Sequence, residues 1–432
     1  MTVAVDTALI DDLRARGLVQ DSTNIDELAS RLSERPVRVY VGFDPTADSL
    51  HVGNLVGLLM LRRFQDAGHN VIVLAGGATG MVGDPSGRSS ERSLLDDAQL
   101  AANIAGILPQ LRQFLDFERT GNPATLLDNR AWTVGVTYLQ FLRDVGKFIT
   151  VNQMVAKDSV RSRMESTDGI SYTEFSYMLL QAHDFAWLYE HEGCEMQMGG
   201  SDQWGNIVAG IDLIRKKLGG HGLGLTFPLL TGADGSKYGK TAGGETIWLS
   251  GEKFSPYAFY QTWKRVEDSE IEKLLLQLTL LPVHEVGAVM GAHREAPHRR
   301  LAQTRLAEEL TSLVHGADAT DGAREASEAV FGGSVTELGK NALEMLSTEL
   351  PTHSASRTCL GQAGAFVPLL TEAGVTASNS EANRLLKQNG LSVNDVKVAG
   401  DHVLDSGDLL HGRYALVRKG KKHLSLLVFD KP

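Results

Sequence analysis

The sequence predicts an α/β chain in which a parallel-sheet domain comes first, an α-helical domain next, and a small α+β domain last. Three observations carry this reading. Strand, loop, helix and strand follow one another over residues 37–74, which makes a βαβ unit and hence a parallel sheet. Residues 255–346 keep a helical pattern rich in Glu, Ala, Leu and Arg, with almost no strand signal. Near the end, short alternating strands return, such as Tyr414-Ala-Leu-Val417 and Leu424-Ser-Leu-Leu-Val428.

Taken in order, residues 1–35 read as a helical arm, because Ile10, Leu13 and Leu18, then Ile25, Leu28 and Leu32, fall at helical spacing. Val37-Arg-Val-Tyr-Val41 is the first strand and runs into Gly42. The polar turn Asp44-Pro-Thr-Ala-Asp-Ser49 leads to an apolar helix over 50–67, closed by Gly68, and Val71-Ile-Val-Leu74 is the next strand. Ligands bind such sheets at the carboxyl ends of the strands, so chemistry is expected in the loops after Val41 and Leu74. Residues 129–192 are mostly helical. A strand-like Glu195-Met-Gln-Met198 then enters Gly199-Gly200, and a helix over 203–218 follows. The domain limits read as 36–250 for the sheet domain, with 129–192 inserted in it, and 251–347 for the helical domain. Small residues and glycines over 354–365 mark 348–375 as a linker, and 376–432 is the last domain.

At about 150 residues per domain, 432 residues suit this three-part division. Apolar residues make up 42% and charged residues 22%, as in an ordinary globular protein. Cys194 and Cys359 are the only cysteines, which excludes a disulfide framework and a Cys-rich zinc site and fits a reducing cytosol. Residues 1–17 carry Asp6, Asp11, Asp12 and Arg14 and do not read as a signal peptide. No run reaches the ~18 apolar residues of a membrane span, so a cytoplasmic protein without a membrane partner is expected. The net charge of −11 argues against non-specific coating of nucleic acid, although a local basic patch is compatible with it.

Two segments carry nucleotide chemistry. In the first, His51-Val-Gly-Asn54 opens a helix, where free N–H groups and the positive dipole end favour an anion, and Gly53 leaves room for a ring or sugar. A simple cap and a packing glycine would read the same. In the second, Asp234-Gly-Ser-Lys-Tyr-Gly-Lys-Thr241, two lysines three apart make a cationic loop suited to a leaving pyrophosphate, or a solvated turn. It does not match a Walker A loop.

Together the two segments resemble the HIGH and KMSKS signatures of class I aminoacyl-tRNA synthetases. Longer stretches narrow the resemblance to the bacterial tyrosyl-tRNA synthetases. These are Gly42-Phe-Asp-Pro-Thr-Ala-Asp-Ser-Leu-His51, Gly76-Gly-Ala-Thr-Gly-Met-Val-Gly-Asp-Pro-Ser-Gly87, Thr173-Glu-Phe-Ser-Tyr-Met-Leu-Leu-Gln-Ala-His-Asp184 and Gly199-Gly-Ser-Asp-Gln-Trp-Gly-Asn206. The resemblance spans nearly the whole chain, in the expected order. Two positions depart from it: Asn54 stands where the signature has histidine, and Arg88 and Ser89 stand where many relatives have paired lysines.

The resemblance implies a Rossmann-type catalytic domain, an anticodon-binding helical domain and an RNA-binding domain like that of a ribosomal small-subunit protein. It implies a tyrosine–tRNA ligase, which forms tyrosyl-adenylate and pyrophosphate from L-tyrosine and ATP and then acylates the 3′ end of tRNA(Tyr). It assigns Tyr40 and Asp184 to the substrate's phenol, and Asp84, Asn129, Tyr177 and Gln181 to its ammonium. Gln203 goes to its carboxylate. Gly42, Asp44, His51, Gly53, Gly200, Asp202, Lys237 and Lys240 go to ATP. Thr46, His51, Asn54, Arg88, Arg92, Lys237 and Lys240 are the candidates to stabilise the transition state. Mg²⁺ is expected on the nucleotide phosphates, with no tightly bound metal or organic cofactor, and a homodimer through the inserted segment.

The residues support part of this independently. A buried phenol needs a donor and an acceptor, which a second phenol and a carboxylate supply. Tyr177, Gln181 and Asp184 stand at i, i+4 and i+7, on one face of an otherwise apolar helix. Residues 383–432 hold nine Lys/Arg against five Asp/Glu, with Arg413, Arg418, Lys419, Lys421 and Lys422 clustered, a footprint for phosphates or a solvated hairpin. The competing readings are a non-catalytic RNA-binding protein on the same scaffold and a tryptophanyl enzyme. The intact signature lysines and Asp84 oppose the first, and Tyr40 with Asp184 opposes the second.

Overall fold

The computed structural model describes residues 5–86, 95–167, 169–232, 238–241, 243–420 and 423–430. The chain divides into two compact units, one of Met1–Lys253 with Val266–Ala302 and one of Phe254–Arg265 with Gln303–Pro432.

The first unit is built on a six-stranded sheet. Its strands are β1 (Asp21–Ser22), β2 (Arg38–Phe43), β3 (Asn70–Ala75), β4 (Thr125–Asp128), β5 (Met196–Gly200) and β6 (Leu223–Phe227), in the spatial order β1-β6-β5-β2-β3-β4. All neighbours are parallel except the pair β1–β6. The apolar runs of β2 and β3 are buried on both faces, as a helix-covered parallel sheet requires. From β2 the chain winds outward through β3 to β4, then returns to lay β5 on the other side of β2. The order therefore reverses between β2 and β5, where a crevice opens beyond the strand ends.

Helix Leu55–Asp66 packs on β2 and β3 and is buried along most of its length. Helix Tyr172–Glu192 packs against Trp204–Leu213. Ser171 caps its start by accepting the Glu174 N–H, and Gly193 ends it in the left-handed region at φ 62°. A side chain in that conformation costs about 1 kcal/mol or more. Gly193→Ala is accordingly expected to lower the unfolding free energy by that amount, read as a lower urea midpoint at an unchanged m-value, and an unmoved midpoint would refute this account of the cap.

The second unit carries helices Pro256–Lys264, Ala317–Val330 and Lys340–Glu349 and a five-stranded sheet. Its strands are β7 (Thr352–Ala355), β8 (Leu391–Val393), β9 (Val396–Lys397), β10 (Tyr414–Lys419) and β11 (His423–Phe429), in the order β7-β11-β10-β8-β9.

Two expectations differ from this arrangement. The stretch 348–375, expected as a linker, holds β7, which pairs parallel with β11, and helix Phe366–Glu372. Ala355, Phe366, Leu369 and Leu370 share a core with Leu391, Val417 and Leu427, so burial orders what small residues suggested was loose. The helical stretch 251–347 is also not one body, because Ile271–Leu278 and Val283–Glu295 belong to the first unit. Arg16 explains part of this: it donates to the Leu276 and Leu281 carbonyls, joining the N-terminal arm to the end of helix Ile271–Leu278.

Candidate active site

The crevice beyond β2 and β5 holds a cavity of about 260 Å³. Its walls bring together Tyr40, Gly42, Asp44, Thr46, His51, Gly53, Asn54, Asp84, Tyr177, Gln181, Asp184, Gly200, Asp202 and Gln203. Strands supply Tyr40, Gly42 and Gly200, loops after strand ends supply Asp44, Thr46, Asp84 and Asp202, and helix Tyr172–Glu192 supplies Tyr177, Gln181 and Asp184.

Tyr40 is 1% exposed, packs its ring 5.5 Å from that of Phe185, and has no hydrogen-bond partner for its hydroxyl among the described residues. Burial, and then the charge of Asp184, raise its pKa well above the ordinary value. Asp184 is 2% exposed and accepts from Asn129 Nδ2 at 2.9 Å and from Trp132 Nε1 at 2.8 Å. Burial pushes its pKa up to about 7 against the pull of those two donors, with Asp44 and Asp128 adding to the rise. An orphaned phenol and a carboxylate with spare lone pairs, lining one cavity, suit a ligand that both donates and accepts there.

Asn129 itself does not line the cavity. It is fully buried, donates to Asp184 and Thr79, and accepts the Ala78 N–H. Trp132 was not anticipated. Its signal lay only in a tryptophan three residues after Asn129, stacked here on Trp187 with centroids 4.1 Å apart.

A second polar group lines the opposite wall. Tyr177 donates to Asp44 Oδ2 at 2.9 Å, and Thr79 donates to Asp44 Oδ1 at 2.8 Å. Asp84 accepts from Gln203 Nε2 at 2.7 Å and from Ser86 Oγ at 2.6 Å. Asn206 donates to Gln181 Oε1 at 2.8 Å and to Gln203 Oε1 at 3.1 Å. Lys157 donates to Ser86 and Asn206, and sequence reasoning missed it as well.

At the third end, Val52–Asn54 is a short 3₁₀ turn leading into helix Leu55–Asp66. His51 Nδ1 accepts the Gly53 N–H at 3.0 Å, and Asn54 Oδ1 accepts the His51 N–H at 3.0 Å. A Cβ at 53 would lie 2.7 Å from His51 Cε1, so a larger residue there would displace the His51 ring. The Asn54 oxygen is thus a cap, while its amide retains its donors. Segment 246–249 pairs with this turn: Val52 donates to the Ile247 carbonyl, Leu249 donates to the Leu50 carbonyl, and Trp248 stands edge-on to His51. Lys240 is exposed, bridged to Thr246, and does not line the cavity. Arg88, Ser89, Arg92 and Lys237 lie outside the described residues. Among the described residues, no group of three His, Cys, Asp or Glu side chains is gathered to hold a metal ion.

This architecture and pocket agree with two family models. The model for class I tRNA synthetases (W and Y) matches residues 32–332, and the one for the SYY-like C-terminal domain of tyrosine–tRNA ligases matches residues 342–427. The tyrosine–tRNA ligase of Opitutus terrae is 51% identical over 416 residues, which is 96% of this chain and 98% of that protein. That of Roseiflexus castenholzii is 47% identical over 423 residues, covering 98% and 99%. A crystal structure of a C-terminally truncated mitochondrial tyrosyl-tRNA synthetase from Aspergillus nidulans superposes with a TM-score of 0.68 at 32% identity, over 75% of this chain and 94% of that one. The chain belongs to the tyrosyl-tRNA synthetases, the ATP-dependent ligases that join tyrosine to tRNA.

Proposed function

We propose that the cavity described above is where tyrosine attacks ATP, and that its residues divide the work as follows. Tyr40 and Asp184 read the phenol hydroxyl. Asp84, Tyr177 and Gln181 hold the ammonium, with Asn129 acting through Asp184, and Gln203 meets the carboxylate. Gly42, Asp44, Gly53, Gly200 and Asp202 cradle the ATP ribose and its neighbourhood. The tyrosine carboxylate is already a nucleophile, so positioning and charge stabilisation carry the chemistry instead of a general base. Thr46, His51, Asn54, Arg88, Arg92, Lys237 and Lys240 stabilise the charge that gathers on the leaving pyrophosphate. Mg²⁺ travels on the ATP phosphates and neutralises part of that charge. The acyl group then passes to the 3′ end of tRNA(Tyr), with the basic residues of 383–432 meeting its phosphates.

A homodimer in the cytoplasm completes the reading. Exposed Val134, Tyr138, Leu139, Val151, Met164 and Tyr172 all fall in the inserted segment 129–192, and so much apolar surface on one segment is characteristic of an interface. No helix among the described residues is long and apolar enough to cross a membrane.

The observation that carries the assignment is the buried, unpartnered Tyr40 hydroxyl sharing a cavity with Asp184. ATP–pyrophosphate exchange without tRNA tests it, run in parallel with tyrosine, phenylalanine and tryptophan. Exchange is expected with tyrosine and not with the other two. Equal exchange with tryptophan or phenylalanine would remove Tyr40 and Asp184 from their role.

A further inference from the structure

We propose that Lys157 is a positioning residue for the amino-acid substrate, holding Asn206 and Ser86 from the side opposite Asp84 in the hydrogen-bond network that also carries Gln203 and Gln181. The proposal rests on the assignment of Asp84, Gln181 and Gln203 to the amino and carboxyl groups of tyrosine.

Lys157 follows helix Val151–Val155, inside the inserted segment, so it reaches the pocket from an element that otherwise contributes exposed apolar surface. Its side chain is 7% exposed, and its stem crosses Gly205, where a Cβ would come within 3.2 Å of Lys157 Cγ. Nζ donates to Asn206 Oδ1 at 2.7 Å and to Ser86 Oγ at 2.8 Å, and lies 3.9 Å from Asp84 Oδ1. Burial lowers its pKa, and the charges of Asp84 and Asp202 oppose that fall.

An ammonium group donates only, and an amide has one end of each kind. Asn206 must therefore turn its oxygen to Lys157, which leaves Nδ2 for Gln181 Oε1 and Gln203 Oε1. Gln203, accepting through Oε1, has to present Nε2 to Asp84 Oδ2. Ser86 Oγ, accepting from Lys157, gives its own proton to Asp84 Oδ1. Without the cation, the Asn206 and Ser86 oxygens lose their donor, and Asn206 is held only from its Nδ2 end. Gln181 and Gln203, which lean on Asn206, and Asp84, which leans on Ser86, would then be held less firmly against the ammonium and carboxylate of tyrosine. The phenol end, built on Tyr40, Asp184, Asn129 and Trp132, shares none of these bonds.

Lys157→Met keeps the stem and removes the donors. In pyrophosphate exchange by the full chain, it is expected to raise the tyrosine KM about 10- to 100-fold, the range for a lost bond to a charged group. The rate at saturating tyrosine, the ATP KM and the tyrosine-to-phenylalanine ratio of kcat/KM should stay within about threefold, as loss of ground-state positioning at one end of the substrate requires. Ser86→Ala removes the hydroxyl that links Lys157 to Asp84 but leaves the Lys157–Asn206 bond, and should shift the same constant in the same direction by less. Asp84→Asn is run beside them. If Asp84→Asn raises the tyrosine KM while Lys157→Met and Ser86→Ala leave it unmoved, the inference fails and the pocket assignment stands. If Asp84→Asn leaves it unmoved, the pocket assignment fails and the inference with it. A fall in rate and in phenylalanine discrimination along with the KM change would show general loosening, and would also overturn the proposal.

Discussion

Replacing Lys240 with alanine is expected to slow single-turnover adenylate formation by about 10²-fold or more, on the order of 3 kcal/mol, the usual loss when a preorganised donor to developing charge is removed. If the lysine only solvated a turn, the change would stay within about ±0.5 kcal/mol. Its geometry favours the larger value. The residue lies outside the cavity wall, yet its backbone neighbours are stitched to the first signature. Ile247 donates to the Gly239 carbonyl, and its own carbonyl accepts from Val52, one residue after His51. A cation that contributes little to the ground state and gains when charge moves toward it meets the condition for lowering a barrier. The tyrosine KM should not move, because Tyr40, Asp84, Tyr177, Gln181 and Asp184 lie elsewhere. An unchanged rate constant, or a raised tyrosine KM at constant rate, would remove the loop from the transition state. The same outcome is expected for Lys237.

Asp184→Asn is expected to erode the preference for tyrosine over phenylalanine by about 1–3 kcal/mol, the cost of a lost buried hydrogen-bond partner. The loss has two sources. An amide cannot accept through both arms, so either Asn129 Nδ2 or Trp132 Nε1 is left facing another donor. The substrate hydroxyl then loses a charged acceptor. Equal kcat/KM ratios in parent and variant would refute the assignment. Stability should change its pH dependence as well. With a folded pKa of about 7 against an ordinary 3.8, the empty pocket keeps a proton that the unfolded chain has released across that window. Parent stability therefore falls as pH rises through it, and levels off above the folded value. Urea titrations at the two ends of the window should show a smaller drop in the asparagine variant.

The parts of this site legible in the sequence were those on short, regular frames. Tyr40 sits on a strand of unbroken apolar residues, and Tyr177, Gln181 and Asp184 follow a helical period that any sequence displays. The supports around them were not legible. Trp132 and Lys157 come from the inserted segment, many residues from the groups they hold, and nothing local distinguishes Lys157 from a solvated lysine. Strand β7, Thr-His-Ser-Ala, lacks β-branched alternation because it is an edge strand, ordered by its pairing with β11 rather than by its own propensity. Asn54 adds a local detail that the sequence did not show. Its oxygen closes the turn, a role shared by any residue that can cap there, while its amide keeps its donors.

Helix Tyr172–Glu192 also acts as a gauge of length. Tyr177 and Asp184 are seven residues apart on one rigid rod, about 10 Å along its axis at 1.5 Å per residue. On the proposed assignment, a small amino acid that satisfies the ammonium end would leave the far carboxylate and the Tyr40 hydroxyl unmet. One with an extra methylene pushes its hydroxyl past them. Size is thus filtered by the backbone and hydroxyl chemistry by the side chains, so selectivity against short substrates survives side-chain changes that abolish discrimination against phenylalanine.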